Sequence, residues 1–175
     1  VPGLREYRYF LDDLESELCR IESLRASGAA GGCRIGCTDC CLPLTLLPLE
    51  AYAILSQRDS SRKTPAVCEA RQNACHFLSA EGTCVIYAAR PFLCRTRGYP
   101  ILHMNGDGEW EADSCAKRGF SARAAGSVGL SLETWNARLF RLNEDFCLQN
   151  GISPTRLRLA ELYPSQIGAP SPGCR

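Results

Sequence analysis

Four cysteines fall within nine residues, as Cys33-Arg34-Ile35-Gly36-Cys37-Thr38-Asp39-Cys40-Cys41. A hydrophobic core has no reason to produce that density, because a free cysteine behaves there as a small apolar side chain. Metal binding does produce it. Thiolates two or three residues apart on a turn converge on one ion or one cluster, and Gly36 lets the backbone bend sharply enough for sulfur to reach inward. Adjacent Cys40 and Cys41 point apart where the chain is extended, so each centre takes at most one of them, which argues for two centres or a bridge.

Four more cysteines follow at wider intervals, Cys75, Cys84, Cys94 and Cys115, each beside a turn or a short element. Together the eight divide into two four-sulfur sites, the coordination that both structural zinc and cubane iron–sulfur clusters take. Of the twelve cysteines in the chain, Cys19, Cys68, Cys147 and Cys174 stand outside this pattern. Cys19 and Cys147 fall in predicted helices and read as buried, inert thiols. A disulfide framework competes with metal as an explanation, but frameworks belong to small secreted domains that lack a core. A chain of 175 residues, 45% apolar, can bury a core without them.

Charge gives no reason to expect nucleic acid or an anionic membrane surface as partner, since 20 basic residues nearly balance 19 acidic ones. The apolar run Leu42 to Leu49 is broken by Pro43 and Pro48 and is far too short to span a bilayer. No basic segment followed by an apolar one opens the chain, so no signal peptide is expected and the expected location is the cytoplasm.

Around the cysteines the periodicity is helical. Tyr7, Leu11, Leu14, Leu18 and Ile21 recur at three- and four-residue steps, and the pattern breaks at Gly28 to Gly32. Pro48 opens a second helix, with Ala51, Ile54 and Leu55 as its buried stripe and an end near Arg58; a short helix is expected over 66–73. Leu132, Trp135, Leu139, Leu142 and Phe146 make a further stripe, with Ser131 before it and Gly151 after it as caps. Ser153-Pro154 is expected to start a last helix, through about Leu162. Two small hairpins are expected between these helices. One turns at Ser79 to Gly82; the other turns at Asn105-Gly106-Asp107-Gly108, where Asn-Gly suits the positive φ angles of a tight turn.

Taken in order, Cys33 to Cys41, then Cys75-His76-Phe77-Leu78, then Gly82-Thr83-Cys84-Val85-Ile86-Tyr87, then Arg90-Pro91-Phe92-Leu93-Cys94-Arg95, the sequence resembles the YkgJ-type cysteine-cluster family. That family is described as a zinc- or iron-chelating domain with a CxxCxxCC block and is distantly related to flagellin lysine N-methylase. The resemblance runs from Cys33 to about Cys115 and implies metal chelation by the matching cysteines. Through the methylase it also implies, as an alternative, a cluster-dependent enzyme such as a protein methyltransferase using S-adenosylmethionine. No strand, glycine-rich turn and helix stand in sequence to cradle a methyl donor.

The spacing Cys33-x3-Cys37-x2-Cys40 favours an iron–sulfur cluster, of the 4Fe-4S kind, over zinc, whose sites more often use paired Cys-x2-Cys knuckles. Four thiolates around either metal carry net negative charge, and Arg90 and Arg95, beside Cys94, are placed to donate hydrogen bonds to sulfur. Tyr87 is expected to pack its ring over the centre and exclude water. His76, next to Cys75, reads as a support to the ligands rather than a ligand.

The expected fold is therefore mainly α: one compact domain over 1–163, in which peripheral helices surround a cysteine-rich metal centre with two small β-hairpins. The core motif is 33–115, and 164–175 forms a flexible tail. The expected function is metal binding by one or two iron–sulfur clusters through eight cysteines, for electron transfer, redox sensing or metal handling. The partners would be metal ions and a protein redox or substrate partner; a zinc-stapled interaction module is the other alternative.

Overall fold

A computed structural model describes residues 1–24, 37–57, 75, 77–79, 81–115, 117, 120 and 129–158. Cys33, Cys68, His76, Cys174, the expected helix over 66–73 and the expected tail lie outside them. Four helices stand among the described residues: α1 (Leu4–Ser23), α2 (Pro48–Ser56), α3 (Phe92–Thr96) and α4 (Leu132–Asn150). None is long and apolar enough to cross a membrane.

Helix α1 forms on the predicted stripe, burying Tyr7, Phe10, Leu11, Leu14, Leu18 and Ile21 on one face. It starts at Gly3, whose φ of 86° is left-handed, and a Cβ there would lie 3.0 Å from the Phe146 ring. Glycine at this position thus lets the start of α1 close on α4. Helix α4 is bounded by the caps read from the sequence. The Ser131 hydroxyl accepts the Thr134 N–H, and Gly151 takes a left-handed φ of 63° while the Ile152 N–H returns to the Cys147 carbonyl. Phe10, Phe92 and Trp135 pack ring against ring where α1, α3 and α4 meet.

Helix α2 departs from the expected single stripe. Pro48 does open it, but Leu55 is exposed, and both other faces are buried. Leu49 and Ala53 join the core shared with α1 and α4, whereas Ala51 and Ile54 turn to a second, smaller cluster with Leu46 and Phe77. Its solvent side carries Tyr52 and Leu55, so apolar side chains stand on every face and hydrophobic periodicity misassigns them.

The strands are short. β2 (Ile101–Met104) and β3 (Trp110–Asp113) form the second expected hairpin, and β4 (Leu130–Ser131) pairs parallel to β2. The turn falls within the expected Asn105 to Gly108, but its positive φ is not supplied by Asn-Gly. It is a three-residue loop in which Gly108, not Gly106, takes the positive φ, while the Asn105 side chain accepts the N–H groups of Asp107 and Glu109. β1 (Thr45–Leu46) pairs antiparallel with β5 (Leu157–Arg158), which replaces the part of the expected last helix that is described. Pro154 does not start a helix there, because the chain runs extended to reach β1. The first expected hairpin is a single bridge, Leu78 with Cys84.

Candidate metal centre

Seven of the eight proposed ligand cysteines are described, and all seven are of intermediate burial and outside any disulfide. Backbone hydrogen bonds tie their segments together. Cys41 closes a turn on Thr38 (2.9 Å), and its carbonyl accepts the Cys75 N–H (3.1 Å), joining segments that are far apart in sequence. Cys75 and Cys84 flank the first hairpin, in which Val85 N–H donates to Phe77 O (2.9 Å) and Ser79 N–H to Thr83 O (2.8 Å). The sulfur of Cys75 accepts the Phe77 N–H at 3.5 Å, and the sulfur of Cys84 accepts the Ile86 N–H. Each donor lies two residues past its sulfur, a backbone arrangement that stabilises thiolate. After a 3-10 turn over Tyr87–Ala89, Pro91 leads into α3, which carries Cys94.

Electrostatics gathers four of these thiols. Burial first, and then Cys75 and Cys84, push the Cys94 thiol up to about 12, with Arg90 acting in the opposite direction and Cys41 adding to the rise. Burial, followed by Cys40, Cys75 and Cys84, pushes Cys41 up to about 11. Burial also raises Cys75 and Cys84, against the N–H donors at their sulfurs. At neutral pH the metal-free protein therefore holds neutral thiols here. Cys37 and Cys115 have different surroundings: both lie within electrostatic reach of Lys117, whose ammonium pairs with Asp39.

Arg90 and Arg95, expected to serve sulfur, divide their roles. The Arg90 guanidinium lies 3.8 Å over the Tyr87 ring, donates to the Tyr87 carbonyl, and acts electrostatically on both Cys84 and Cys94. Arg95 is spent elsewhere: it pairs with Glu15 of α1 and donates to the carbonyls of Arg90 and Ala88 at 2.7 Å each. It binds the Cys94 turn to the helical layer. Tyr87 is 62% exposed, so its ring does not exclude water as expected; it carries Arg90 instead. Cys147 is buried in the helical core as expected, while Cys19 is exposed on the outer face of α1, contrary to its reading as a buried thiol.

Glu50 was not singled out from the sequence, yet it positions the site. Only 5% exposed, it accepts the Leu47 N–H at the start of α2 (3.2 Å) and the Phe92 N–H at the start of α3 (3.0 Å). One carboxylate thus caps two helices and fixes the second, with Cys94, against the first. Burial raises its pKa, against those two N–H donors and the more distant Arg156. Tyr7 of α1 lies within reach of the charges of Glu50, Arg95 and Cys94. A glutamate three residues past the start of an apolar helix is a readable cap signal; its second partner, 42 residues away, is not.

The donor set suits a thiophilic metal: several free thiols, backbone N–H groups at two sulfurs, and a guanidinium beside two. Among the described residues no three Cys, His, Asp or Glu side chains stand close enough to hold an ion as they lie. Ligation would have to draw the sulfurs inward.

Residues 32–116 match the model of the CxxCxxCC family, described as "Putative zinc- or iron-chelating domain". The match covers all eight proposed ligands and just under half of the chain, leaving α1 and α4 outside it. No curated protein and no solved structure matches the chain.

Proposed function

We propose that this chain binds metal through the thiolates of its cysteine block, holding an iron–sulfur centre that serves electron transfer, redox sensing or metal handling. The observation that carries the reading is that free, part-buried thiols from separate segments, Cys41, Cys75, Cys84 and Cys94, lie within electrostatic reach of one another beside Arg90. Ionising such neighbouring thiols is costly unless a cation binds the thiolates. Similarity to a zinc- or iron-chelating domain supports metal as that cation. The spacing Cys33-x3-Cys37-x2-Cys40 favours a cluster.

Anaerobic purification followed by metal and acid-labile sulfide analysis tests the proposal. Iron and sulfide in equal amounts, with a broad visible absorption that bleaches on reduction, is the expected result. Zinc alone would replace the cluster by a zinc-stapled module, a reading the family description and a four-thiolate set also support. Neither metal, with thiols fully reactive, would end the metal-binding reading.

A further inference from the structure

We infer that Cys41, Cys75, Cys84 and Cys94 form one closed four-thiolate site and that Cys37 and Cys115 belong to a different one. The inference rests on the metal-binding reading above and goes beyond it by dividing the ligands.

Backbone geometry carries the division. The Cys41 and Cys75 segments are joined by the bond from Cys75 N–H to Cys41 O. Cys75 and Cys84 stand on the two sides of one hairpin, and both pack against the small cluster of Leu46, Ala51, Ile54 and Phe77. From Cys84 the chain reaches Cys94 through consecutive closed turns: Tyr87 N–H to Cys84 O, Ala89 N–H to Ile86 O, and Cys94 N–H to Pro91 O. Arg95 clamps that path through the Ala88 and Arg90 carbonyls, and Glu50 holds its far end at Phe92. All four sulfurs are thus delivered by one hydrogen-bonded unit. A cysteine sulfur moves by rotation about a single side-chain bond, and that is the freedom through which ligation would draw the four inward.

Cys37 and Cys115 are linked to each other by a separate contact, that of Asp39 with Lys117, whose side chains are 61% and 64% exposed, while Cys37 also borders the turn that Cys41 closes on Thr38. Lys117 supplies positive charge on that side, and Arg90 supplies it on the other. Each thiol group therefore has its own cation.

The test uses the full-length wild-type chain and cobalt(II), an ion that thiolates hold tetrahedrally and whose thiolate charge-transfer absorption reports ligation. Reduced, metal-free protein is titrated anaerobically, alkylated with N-ethylmaleimide at each step, and mapped by mass spectrometry. At one equivalent Cys41, Cys75, Cys84 and Cys94 should lose their reactivity together, with Cys37 and Cys115 still modified. Cys94→Ser should remove the first charge-transfer band, and Cys115→Ser should leave it. Protection of Cys37 or Cys115 in step with the four, or one of the four reacting throughout, overturns the division while leaving metal binding intact. No protection at any cysteine overturns the metal-binding reading and the division with it.

Discussion

The helical layer and the thiol layer of this molecule are held by different means. Among the described residues the helical core buries fifteen, including Phe10, Leu14, Ile21, Leu49 and Phe146, and Ser131, Gly151 and Glu50 cap the ends of its helices α2 and α4. Among the described residues the thiol layer has four buried residues in its cluster, Leu46, Ala51, Ile54 and Phe77, and two of those belong to α2. Its elements are one bridge, one 3-10 turn, a two-residue strand pair and a five-residue helix. Irregular chain of this kind is costly to order, and the apolar cluster described beside it is small. Its cysteines are placed where ligation would supply the missing energy. On the proposed metal-binding reading, one part of the fold is stabilised by burial and another by coordination, with α2 as the shared wall.

If that division is right, the two layers respond to different damage. The largest effect is expected in the helical layer. Phe146→Ala should cost about 3–5 kcal/mol, by loss of transfer energy and by the cavity left behind. Chemical denaturation with and without bound metal should give the same loss in both states. A loss confined to the metal-bound form would break the comparison.

Glu50→Ala is expected next, at about 2 kcal/mol, because it leaves two buried helix-start N–H groups without an acceptor. Its effect should reach both layers. Stability falls with or without metal, and metal affinity falls as well, since Cys94 loses its anchor. Unchanged affinity by competition against a chelator would show that Phe92 holds α3 without Glu50.

Ser131→Ala should cost about 1 kcal/mol, the usual worth of an N-cap, read as a lowered thermal midpoint with metal affinity unaltered. This smaller substitution sharpens the contrast, because it perturbs only the layer that owes nothing to metal.

The pH response separates the layers without mutation. Cys41 and Cys94 sit at about 11 and about 12 in the fold against an ordinary 9.0, so the folded chain keeps these protons where the unfolded chain sheds them. Below pH 9 both states are protonated and these thiols leave stability independent of pH. From there toward 12 the metal-free protein should lose stability. Metal affinity should move the other way, rising with pH as each thiol that must ionise contributes up to about tenfold per pH unit. Titrations at several pH values check the slope. Affinity independent of pH between 6 and 9 would mean that the ligands are already thiolates.

What the sequence disclosed follows the same division. α1 and α4 were readable because each buries one face and leaves the other wet, which imprints a 3.6-residue period, and because Ser131 and Gly151 mark the ends of α4. α2 was located by Pro48, but its burial was misjudged, since two clusters claim its faces. The strand at Leu157–Arg158 is too short to carry a pattern, and Asn105 outweighed the Asn-Gly signal by capping two N–H groups. At the site, the density of cysteines pointed to the chemistry. Which cysteines lie together, Glu50 bridging to Phe92, and Lys117 pairing with Asp39 depend on contacts between residues tens of positions apart, and local pattern records none of these.

Hydrogen exchange of the reduced protein, followed by mass spectrometry before and after metal removal, tests the two-layer account most directly. Metal removal should release the amides of Cys75, Leu78, Val85 and Tyr87, which are bonded within the thiol layer, while the buried turns of α1 and α4 keep their protection. If the thiol-layer amides stayed equally protected without metal, or if α1 and α4 opened along with them, burial and coordination would not divide the molecule as argued.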